Sequence, residues 1–178
     1  MPRYIVKDYL GCTRCPLHQF RRNIVFGRGS LPAKVFFVGE SNTKAEDLIG
    51  VPLIGSSGRL LEAGIKLAAG FLGKEPPTYF ISNVCACRPT DTKGGENRPP
   101  TGEEAWACWA RLEKTYRDVN PQKVVLLGDT AKKFCKRAWS DATCLLHPAA
   151  ILRAGGEESP VFRNFARNLS EVFRNVLD

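Results

Sequence analysis

Three short, nearly continuous runs of apolar residues predict buried strands in this chain. They cover residues 34–39 (KVFFVG), 78–84 (TYFISNV) and 123–128 (KVVLLG), and a weaker fourth run covers 142–146 (ATCLL). The first three are rich in β-branched or aromatic residues and are bounded by proline, glycine or asparagine. This pattern is typical of strands that are covered on both faces.

Segments with helical spacing of apolar residues lie between and after these runs. They cover residues 57–70, 101–118, 129–138 and 159–177. Three of them begin at residue types that cap helix N-termini, namely Thr101, Asp129 and Ser159. Because strand and helix alternate, the sequence predicts an α/β fold: a three-layer α/β/α sandwich with a central, mostly parallel, four-stranded sheet.

The 178 residues are expected to form one domain, with an N-terminal segment, residues 1–30, that has little helical or strand pattern. No apolar run approaches the ~18 residues of a membrane helix. The first residues, MPRYIVKDYLG, lack the apolar core of a signal peptide. We therefore expect a cytoplasmic protein with no membrane partner.

The charge of the chain favours a polyanionic partner. Lys and Arg number 26 against 18 Asp and Glu, a formal net charge of +8 at pH 7. Phosphates attract such an excess and release counterions when they are neutralised, so nucleic acid is the leading partner class. A basic protein without such a ligand is the alternative that charge alone leaves open. The hydrophobic (43%) and charged (25%) fractions are ordinary and exclude a disordered or fibrous chain.

The residues just after each predicted strand are the candidates for a functional site, because ligands bind beyond the carboxyl ends of strands in such sheets. These residues are 39–43, 83–88, 128–129 and 147–153.

The seven cysteines form a second candidate feature, and in a reducing compartment they argue against a disulfide framework. Cys12-x-x-Cys15 alone is a weak signal that fits a redox pair, half a zinc site or two incidental thiols. Cys85, Cys87 and Cys108 add thiols from two further segments. Four thiolates from three segments suit zinc or an iron–sulfur cluster, with buried thiols as the alternative. The two cysteines within apolar patterns, Cys135 and Cys144, are interpreted as core residues.

A family resemblance begins at residues 39–58, GESNTKAEDLIGVPLIGSSG. This segment resembles the first motif of the iron–sulfur uracil-DNA glycosylases, family 4 of the uracil-DNA glycosylase superfamily, whose pattern runs GE-A-P-G-x-x-ED-x-x-G-x-PFVG-x-AG. The positions in register are Glu40, Glu46, Asp47, Gly50, Pro52, Gly55 and Gly58. Two later motifs are similar to the family's N-x-x-x-CRPP-x-NR and HP-x-x-x-LR: Asn83 with Cys87-Arg88-Pro89 and Asn97-Arg98, and His147-Pro148 with Leu152-Arg153.

The resemblance implies a [4Fe-4S] cluster and no other small-molecule cofactor. Its implied ligands are Cys12, Cys15, Cys87 and Cys108, which leaves Cys85 as a non-ligand.

The resemblance also implies the catalytic residues. Glu40 would position or polarise water or the sugar, Asn83 would meet the edge of a flipped base, and His147 would donate a hydrogen bond to the pyrimidine O2. The Asn83 amide can face uracil or, rotated, cytosine, so asparagine alone does not fix the substrate. Asp47 is a second carboxylate candidate, with a helix N-cap as its alternative role.

DNA is the partner that this resemblance implies. The turn Gly55-Ser56-Ser57, whose backbone amides open a helix, suits phosphate binding. Further phosphate contacts are expected from Arg88, Arg98 and Arg153, and an apolar wedge for the minor groove from Ile151 and Leu152.

The sequence departs from the family pattern in the expected base pocket. Ser41-Asn42-Thr43 replaces A-P-G, and Leu53 replaces the phenylalanine that stacks on uracil. Because aromatic stacking contributes ~1–3 kcal/mol per base, its loss weakens the binding of plain uracil. A roomier, more polar pocket suits a bulky modified pyrimidine, such as hydroxymethylated or glucosylated cytosine in phage DNA.

Several functions therefore stay open at the level of sequence. One is a monofunctional, monomeric DNA glycosylase that excises uracil in DNA repair or a bulky modified pyrimidine in antiviral defence, with no identifiable lyase lysine. A second is a catalytically weak DNA-binding or damage-sensing module of the same fold. A cluster-bearing redox protein is the third, although no flavin or nicotinamide site is recognisable.

Overall fold

A computed structural model describes residues 4–177 of the chain and contains one five-stranded sheet. Its strands are β1 (Arg28–Gly29), β2 (Val35–Gly39), β3 (Tyr79–Asn83), β4 (Lys123–Leu127) and β5 (Thr143–Leu145). The sheet order is β1-β3-β2-β4-β5, with β1 antiparallel to β3 and the other pairs parallel. The predicted α/β class and mostly parallel sheet are confirmed, with five strands rather than four.

The extra strand, β1, is too short to leave a hydrophobic pattern in the sequence. Its two residues pair with β3 at Arg28↔Ile81 and Gly29↔Phe80. Gly29 has a φ of +131°, and a Cβ at this position would collide with the backbone of Tyr79. This edge strand therefore depends on a glycine and on a close backbone approach.

Six helices surround the sheet within the described residues. They are α1 (Lys44–Ile49), α2 (Ser56–Gly70), α3 (Gly102–Val119), α4 (Gly128–Cys135), α5 (Pro148–Arg153) and α6 (Pro160–Leu177). Short 3-10 turns occupy Lys7–Tyr9, Pro16–Gln19 and Gly156–Glu158. Across residues 4–177, no helix combines the length and the apolar character needed to span a bilayer.

Two of the three predicted helix caps are confirmed. Thr101 caps α3 in a capping box with Glu104, and the Ser159 hydroxyl accepts the Phe162 backbone N–H at the start of α6. The predicted cap at Asp129 is wrong, because α4 already begins at Gly128 and places Asp129 within its first turn.

Apolar side chains alternate between the two faces of the sheet, as the continuous apolar runs predict. On one face, Phe37, Ile81 and Val125 pack against α2 and α6. On the other face, Phe36 and Leu126 pack against α3 and α4. The second core also contains the buried Cys135, with Cys144 packed partly buried against it, so the core interpretation of these two cysteines is confirmed.

The parallel strands bring four chain segments to one edge of the sheet. Strands β2, β3, β4 and β5 run in the same direction and end at Gly39, Asn83, Leu127 and Leu145. The residues after these ends therefore share one edge, where α/β proteins bind their ligands.

Candidate active site

A pocket of about 570 Å³ opens at this edge, and we call it the strand-end pocket. Its walls come from the segments after three strands and from the loop before α3: Glu40, Ser41, Asn42 and Thr43 after β2; Gly128, Asp129 and Thr130 after β4; His147, Ala149 and Arg153 after β5; and Asn97, Arg98 and Pro99. The structure thus brings Glu40, His147 and Arg153 together with Ser41, Asn42 and Thr43, three of the four residues that depart from the family pattern. Asn83 is buried and is not part of this lining.

His147 stands at the N-cap of α5, and its ring is fixed by the helix that it starts. The Ala149 backbone N–H donates to His147 Nδ1 at 3.1 Å. A neutral ring whose Nδ1 accepts carries its hydrogen on Nε2. Burial lowers the pKa of His147, and this effect together with that of Arg153 outweighs the opposing effect of Glu40. The ring is therefore a neutral donor at pH 7.

Asn83 and His147 meet at Gly39, where a side chain would have no room. The position of a Cβ on Gly39 would lie 2.5 Å from Asn83 Oδ1 and 3.8 Å from His147 Nε2. Asn83 is buried at the end of β3, and its Nδ2 donates to Asn42 Oδ1 at 3.0 Å. A hydrogen-bond acceptor and a donor thus flank the same small space, as recognition of a base edge requires.

Glu40 is held in the pocket by a residue that the sequence analysis missed. The Thr130 hydroxyl donates to Glu40 Oε2 in a short hydrogen bond. Thr130 follows the predicted segment 128–129 by one residue, in the first turn of α4. The sequence signal that could have indicated Thr130 is a hydroxyl-bearing residue one position after a predicted strand-end segment.

Asp47 lies outside the lining of the strand-end pocket and anchors the N-terminal segment. Its buried carboxylate accepts backbone N–H groups from Arg22 at 3.0 Å and from Asn23 at 3.1 Å. The alternative role as a helix cap is wrong, because Thr43 caps α1 in a capping box with Glu46.

Two apolar residues, Ile151 predicted for the minor-groove wedge and Leu53 predicted for the base pocket, pack in the core instead. Ile151 has no exposed surface, which leaves nothing to insert into a groove. Leu53 is 5% exposed, packs in the same core and lies outside the lining of the strand-end pocket. Leu152 is partly buried against that core, whereas Leu146, directly before His147, is 53% exposed.

The three predicted phosphate-binding arginines differ in how their charges are used. Arg88 is buried and donates to Asn97 Oδ1 at 2.6 Å and to the Gly95 carbonyl, so it organises a loop. Arg98 lines the strand-end pocket but binds Glu104 at 2.7 Å and Asp91 at 2.7 Å. Its hydrogen bonds to these carboxylates raise the pKa of Arg98, chiefly through Glu104.

Arg153 is exposed on the wall of the strand-end pocket and forms no ion pair with a carboxylate of residues 4–177. It also lines an adjoining groove of about 900 Å³, together with Lys132 and Arg167. This basic groove next to the pocket suits a phosphate backbone.

The turn before α2, predicted to bind phosphate, presents a helix N-terminus without a side-chain cap. Gly55 and Ser56 are exposed, and the N-terminus of this 15-residue helix has no side-chain cap at Gly55. Gly58 leaves no room for a Cβ against the Leu53 carbonyl, so the turn packs tightly on the core. Its first backbone N–H groups, including that of Ser57, can bind phosphate oxygens.

Five cysteines line one small cavity between the N-terminal segment, the residues after β3 and α3. They are Cys12, Cys15, Cys85, Cys87 and Cys108, and we call this space the cysteine cavity. Across residues 4–177, no three Cys, His, Asp or Glu side chains stand close enough to hold a single metal ion. The four thiolates of a [4Fe-4S] cluster each bind a different iron, so a cluster does not need three of these side chains to converge on one point, and the all-cysteine donor set is one that such clusters use.

Hydrogen-bond donors point at two of these sulfurs. Arg111 Nη2 lies 3.3 Å from Cys108 Sγ, the Ala86 backbone N–H donates to the same sulfur at 3.4 Å, and Arg21 Nη1 lies 3.5 Å from Cys87 Sγ. Burial raises the pKa of Cys87 to about 12. A metal and these donors together are what would keep its thiolate inside the protein.

The Arg111 guanidinium supplies an independent test of the fit. It is 1% exposed, and its Nε is the one buried side-chain N or O atom of residues 4–177 without a hydrogen-bond partner. Its other groups donate to the Ser82 hydroxyl and to the Asn83 and Val84 carbonyls. A buried cation without a carboxylate partner is costly, and a thiolate-bound cluster beside Cys108 would supply the missing negative charge.

Comparisons with known proteins agree with this geometry. The sequence profile of the uracil DNA glycosylase superfamily matches residues 26–170. A type-4 uracil-DNA glycosylase of Thermotoga maritima is 39% identical over 123 residues, which cover 69% of this chain and 59% of that protein. Those of Sulfurisphaera tokodaii and Archaeoglobus fulgidus are 37% and 36% identical over 130 residues, covering 73% of this chain and 56% and 61% of theirs. The matched region thus spans less than two thirds of each relative.

Proposed function

This chain belongs to the uracil DNA glycosylase superfamily, and we propose that it flips a base out of DNA and hydrolyses its N-glycosidic bond to leave an abasic site. The observation that carries this proposal is the meeting of Asn83 Oδ1 and His147 Nε2 at Gly39, beside the Glu40 carboxylate. This hydrolysis needs three elements: a partner for the edge of the base, a hydrogen-bond donor for the leaving base and a carboxylate beside the sugar.

Departure of the base is the step assigned to His147. When the C1′–N bond breaks, its electron pair passes to the base and negative charge develops on the pyrimidine O2. The Nε2–H of the neutral His147 ring donates to this oxygen. The ring needs no reorientation, because Ala149 already holds its Nδ1.

Addition of water to the sugar is the step assigned to Glu40. The sugar is left with oxocarbenium-like positive charge, which a carboxylate stabilises. Water adds its oxygen to C1′ and gives a proton to Glu40, which passes it to solvent. Thr130 binds Oε2 and thereby leaves Oε1 for the water. In this proposal the attacking group is water and not a lysine amine, so the enzyme is a monofunctional hydrolase.

Binding of the flipped nucleotide is assigned to the basic surroundings of the pocket. Flipping costs a few kcal/mol of unstacking, which phosphate contacts must offset. Arg153, Lys132 and the backbone amides at Ser56 and Ser57 supply such contacts in this proposal. One pocket for one nucleotide needs no second subunit, so we propose that the chain works as a single domain and a monomer.

We further propose that Cys12, Cys15, Cys87 and Cys108 hold a [4Fe-4S] cluster. When bound, such a cluster supplies a structural cross-link rather than chemistry at the base. The cysteine cavity, the donors to two sulfurs and the buried Arg111 support this assignment. The cross-link would join the N-terminal segment to α3 and to the residues after β3.

Uracil is the substrate proposed first, because the similar proteins are named uracil-DNA glycosylases. A bulky modified pyrimidine, excised in antiviral defence, is the second candidate. It is favoured by the pocket volume of about 570 Å³ and by the polar wall of Ser41, Asn42 and Thr43.

The test is to incubate the iron-loaded protein with duplexes that differ in one base: uracil, 5-hydroxymethyluracil, hydroxymethylcytosine or glucosylated cytosine. Abasic sites are scored by alkaline cleavage. Cleavage of the uracil duplex, lost in His147→Ala with DNA binding retained, supports the proposal. DNA binding without cleavage of any duplex would replace it by the sensing module.

A further inference from the structure

Three polar groups, the Cys85 carbonyl and the side-chain amides of Asn42 and Asn83, form a hydrogen-bonded row that fixes the orientation of the Asn83 side chain. Asn42 Nδ2 donates to the Cys85 backbone carbonyl at 3.3 Å, and Asn83 Nδ2 donates to Asn42 Oδ1 at 3.0 Å. Both asparagines are 2% exposed, so water cannot freely replace either bond.

The Cys85 carbonyl at one end of the row fixes the orientation of both side-chain amides. A backbone carbonyl can only accept, so Asn42 must turn its NH₂ group towards Cys85 and its oxygen towards Asn83. Asn83 must then offer its own NH₂ group to that oxygen. Rotating either amide would place two oxygens or two NH₂ groups face to face in a buried site, which is unfavourable.

The row therefore presents Asn83 Oδ1 on the side of His147. This oxygen is the Asn83 atom nearest to the Cβ position of Gly39, which also lies close to His147 Nε2. No group of residues 4–177 donates to Asn83 Oδ1, and this oxygen is not among the fully buried unpartnered atoms, so it is accessible to a ligand. The second hydrogen of Nδ2 is available beside it.

We propose that Asn42 is a specificity-determining positioning residue, which acts through Asn83 to select bases with a uracil-type edge; this inference rests on the proposed function. With O2 of the base at His147, position N3 faces Asn83 Oδ1 and position 4 faces Nδ2. Uracil has N3–H and O4, which match an acceptor and a donor. Cytosine has an unprotonated N3, an acceptor that would face the acceptor Oδ1, and a 4-NH₂ group, a donor that would face the donor Nδ2.

The row depends on an asparagine, Asn42, that the family pattern does not have. The family pattern has proline at the place of Asn42, and proline has no side-chain amide to bind Cys85 and Asn83. The inference also separates the modified bases, because a substituent at C5 leaves the edge unchanged. It admits 5-hydroxymethyluracil and disfavours hydroxymethylated or glucosylated cytosine.

The test measures binding rather than cleavage. Duplexes carrying 2′-fluoro-arabino-uridine or 2′-fluoro-arabino-cytidine resist hydrolysis, and their Kd values are compared for the wild type, Asn42→Ala and Asn42→Leu. We expect the wild type to prefer the uridine duplex at least tenfold, because a mismatched edge leaves buried polar groups unpaired. Both variants should reduce this preference to less than about threefold, and Leu fills the volume if Ala destabilises the fold.

Asn175→Leu is the matched control, since this exposed asparagine of α6 donates to the Glu171 carbonyl and does not line the strand-end pocket. It should keep the wild-type preference. Equal binding of both duplexes by the wild type, or an unchanged preference in Asn42→Leu, would overturn the inference. A wild type that prefers uridine yet never cleaves a deoxyuridine duplex would instead remove the proposed function and leave the inference standing.

Discussion

The Ala149 backbone N–H donates to His147 Nδ1, and this single bond sets the tautomer of the ring that faces Asn83. Ala149 is in the first turn of α5 and His147 is the N-cap of the same helix. The proposed catalytic side chain of His147 thus also accepts a hydrogen bond from one of the backbone N–H groups that are free at the start of α5. Protonating Nδ1 would break this bond, so the fold itself favours the neutral ring.

Activity should therefore depend on pH through His147. Burial lowers its pKa from the ordinary 6.5, so we expect kcat/KM to be constant as the pH falls to 6.5 and to decline only at lower pH. Below the folded-state pKa the ring gains a proton and moves off Ala149. The stability that this depressed pKa contributes is present above pH 6.5 and is lost as the pH falls through the folded-state value.

The measurement is a pH profile of single-turnover excision for the wild type and for His147→Gln. The variant should be slower by about 10²–10³-fold, as expected when one donor to a developing anion is lost, and should show no such decline in acid. A wild-type decline centred above pH 6.5 that disappears in the variant would contradict the lowered pKa.

Gly39→Ala should disable the site by filling the space between Asn83 and His147. The added methyl would stand 2.5 Å from Asn83 Oδ1 and push the amide away from the base. A displacement of about 1 Å at a catalytic group costs roughly 100-fold in rate, and we expect a loss of that order in kcat. Gly70→Ala is the control, because nothing lies within 4 Å of its Cβ position. Similar excision rates in the two variants would show that the space at Gly39 is not used.

Sequence patterns were most informative where a local signal and the tertiary structure agree. The continuous apolar runs located β2, β3 and β4 because both faces of each strand are covered. The cap of α3 was recognisable because Thr101 and Glu104 are three residues apart, and capping is a local interaction. The motif around His147 likewise marked a residue that the pocket contains.

Features that depend on distant parts of the chain escaped prediction. Ile151 and Leu152 are adjacent in the motif, and only the packing of α5 against the core decides that Ile151 is fully buried. The Asp47 carboxylate binds amides 24–25 residues away, which no spacing in the sequence indicates. Arg111 lies in an ordinary helical pattern, and its burial follows from packing against β3.

Replacement of single cysteines should separate ligands from neighbours in the cysteine cavity. Cys108→Ser should lose iron, because its sulfur already accepts from Arg111 and Ala86 as a thiolate would. Cys85→Ser should keep about four iron atoms per chain, the content of a cluster held by four cysteines. Cys135→Ser, which changes a buried thiol that does not line this cavity, is the control. Iron and acid-labile sulfide are measured after anaerobic purification, and loss of iron in Cys85→Ser would assign Cys85 as a ligand.

Arg111→Met should weaken both the cluster and the fold. The change keeps an apolar stem but leaves the Asn83 and Val84 carbonyls without their donor and removes the positive charge beside Cys108. We expect the free energy of unfolding of the iron-loaded protein to fall by about 2–3 kcal/mol, with faster loss of iron to a chelator. Arg117→Met is the control on the same helix, where an exposed pair with Glu113 should contribute no more than about 0.5 kcal/mol. Equal iron retention in the two variants would remove Arg111 from the cluster environment.

Asp47→Ala should distinguish the anchoring role of this carboxylate from a catalytic one. The buried carboxylate accepts the backbone N–H groups of Arg22 and Asn23, which follow the segment with Cys12 and Cys15. Removing a charged acceptor from buried amides costs about 1.5–3 kcal/mol, so we expect a corresponding loss in the free energy of unfolding. Excision by the folded fraction should change by less than about threefold, because the carboxylate is outside the lining of the strand-end pocket. Denaturant unfolding and single-turnover rates, measured on the same iron-loaded preparation, check both expectations. A rate loss of two or more orders of magnitude at unchanged stability would instead make Asp47 the second catalytic carboxylate.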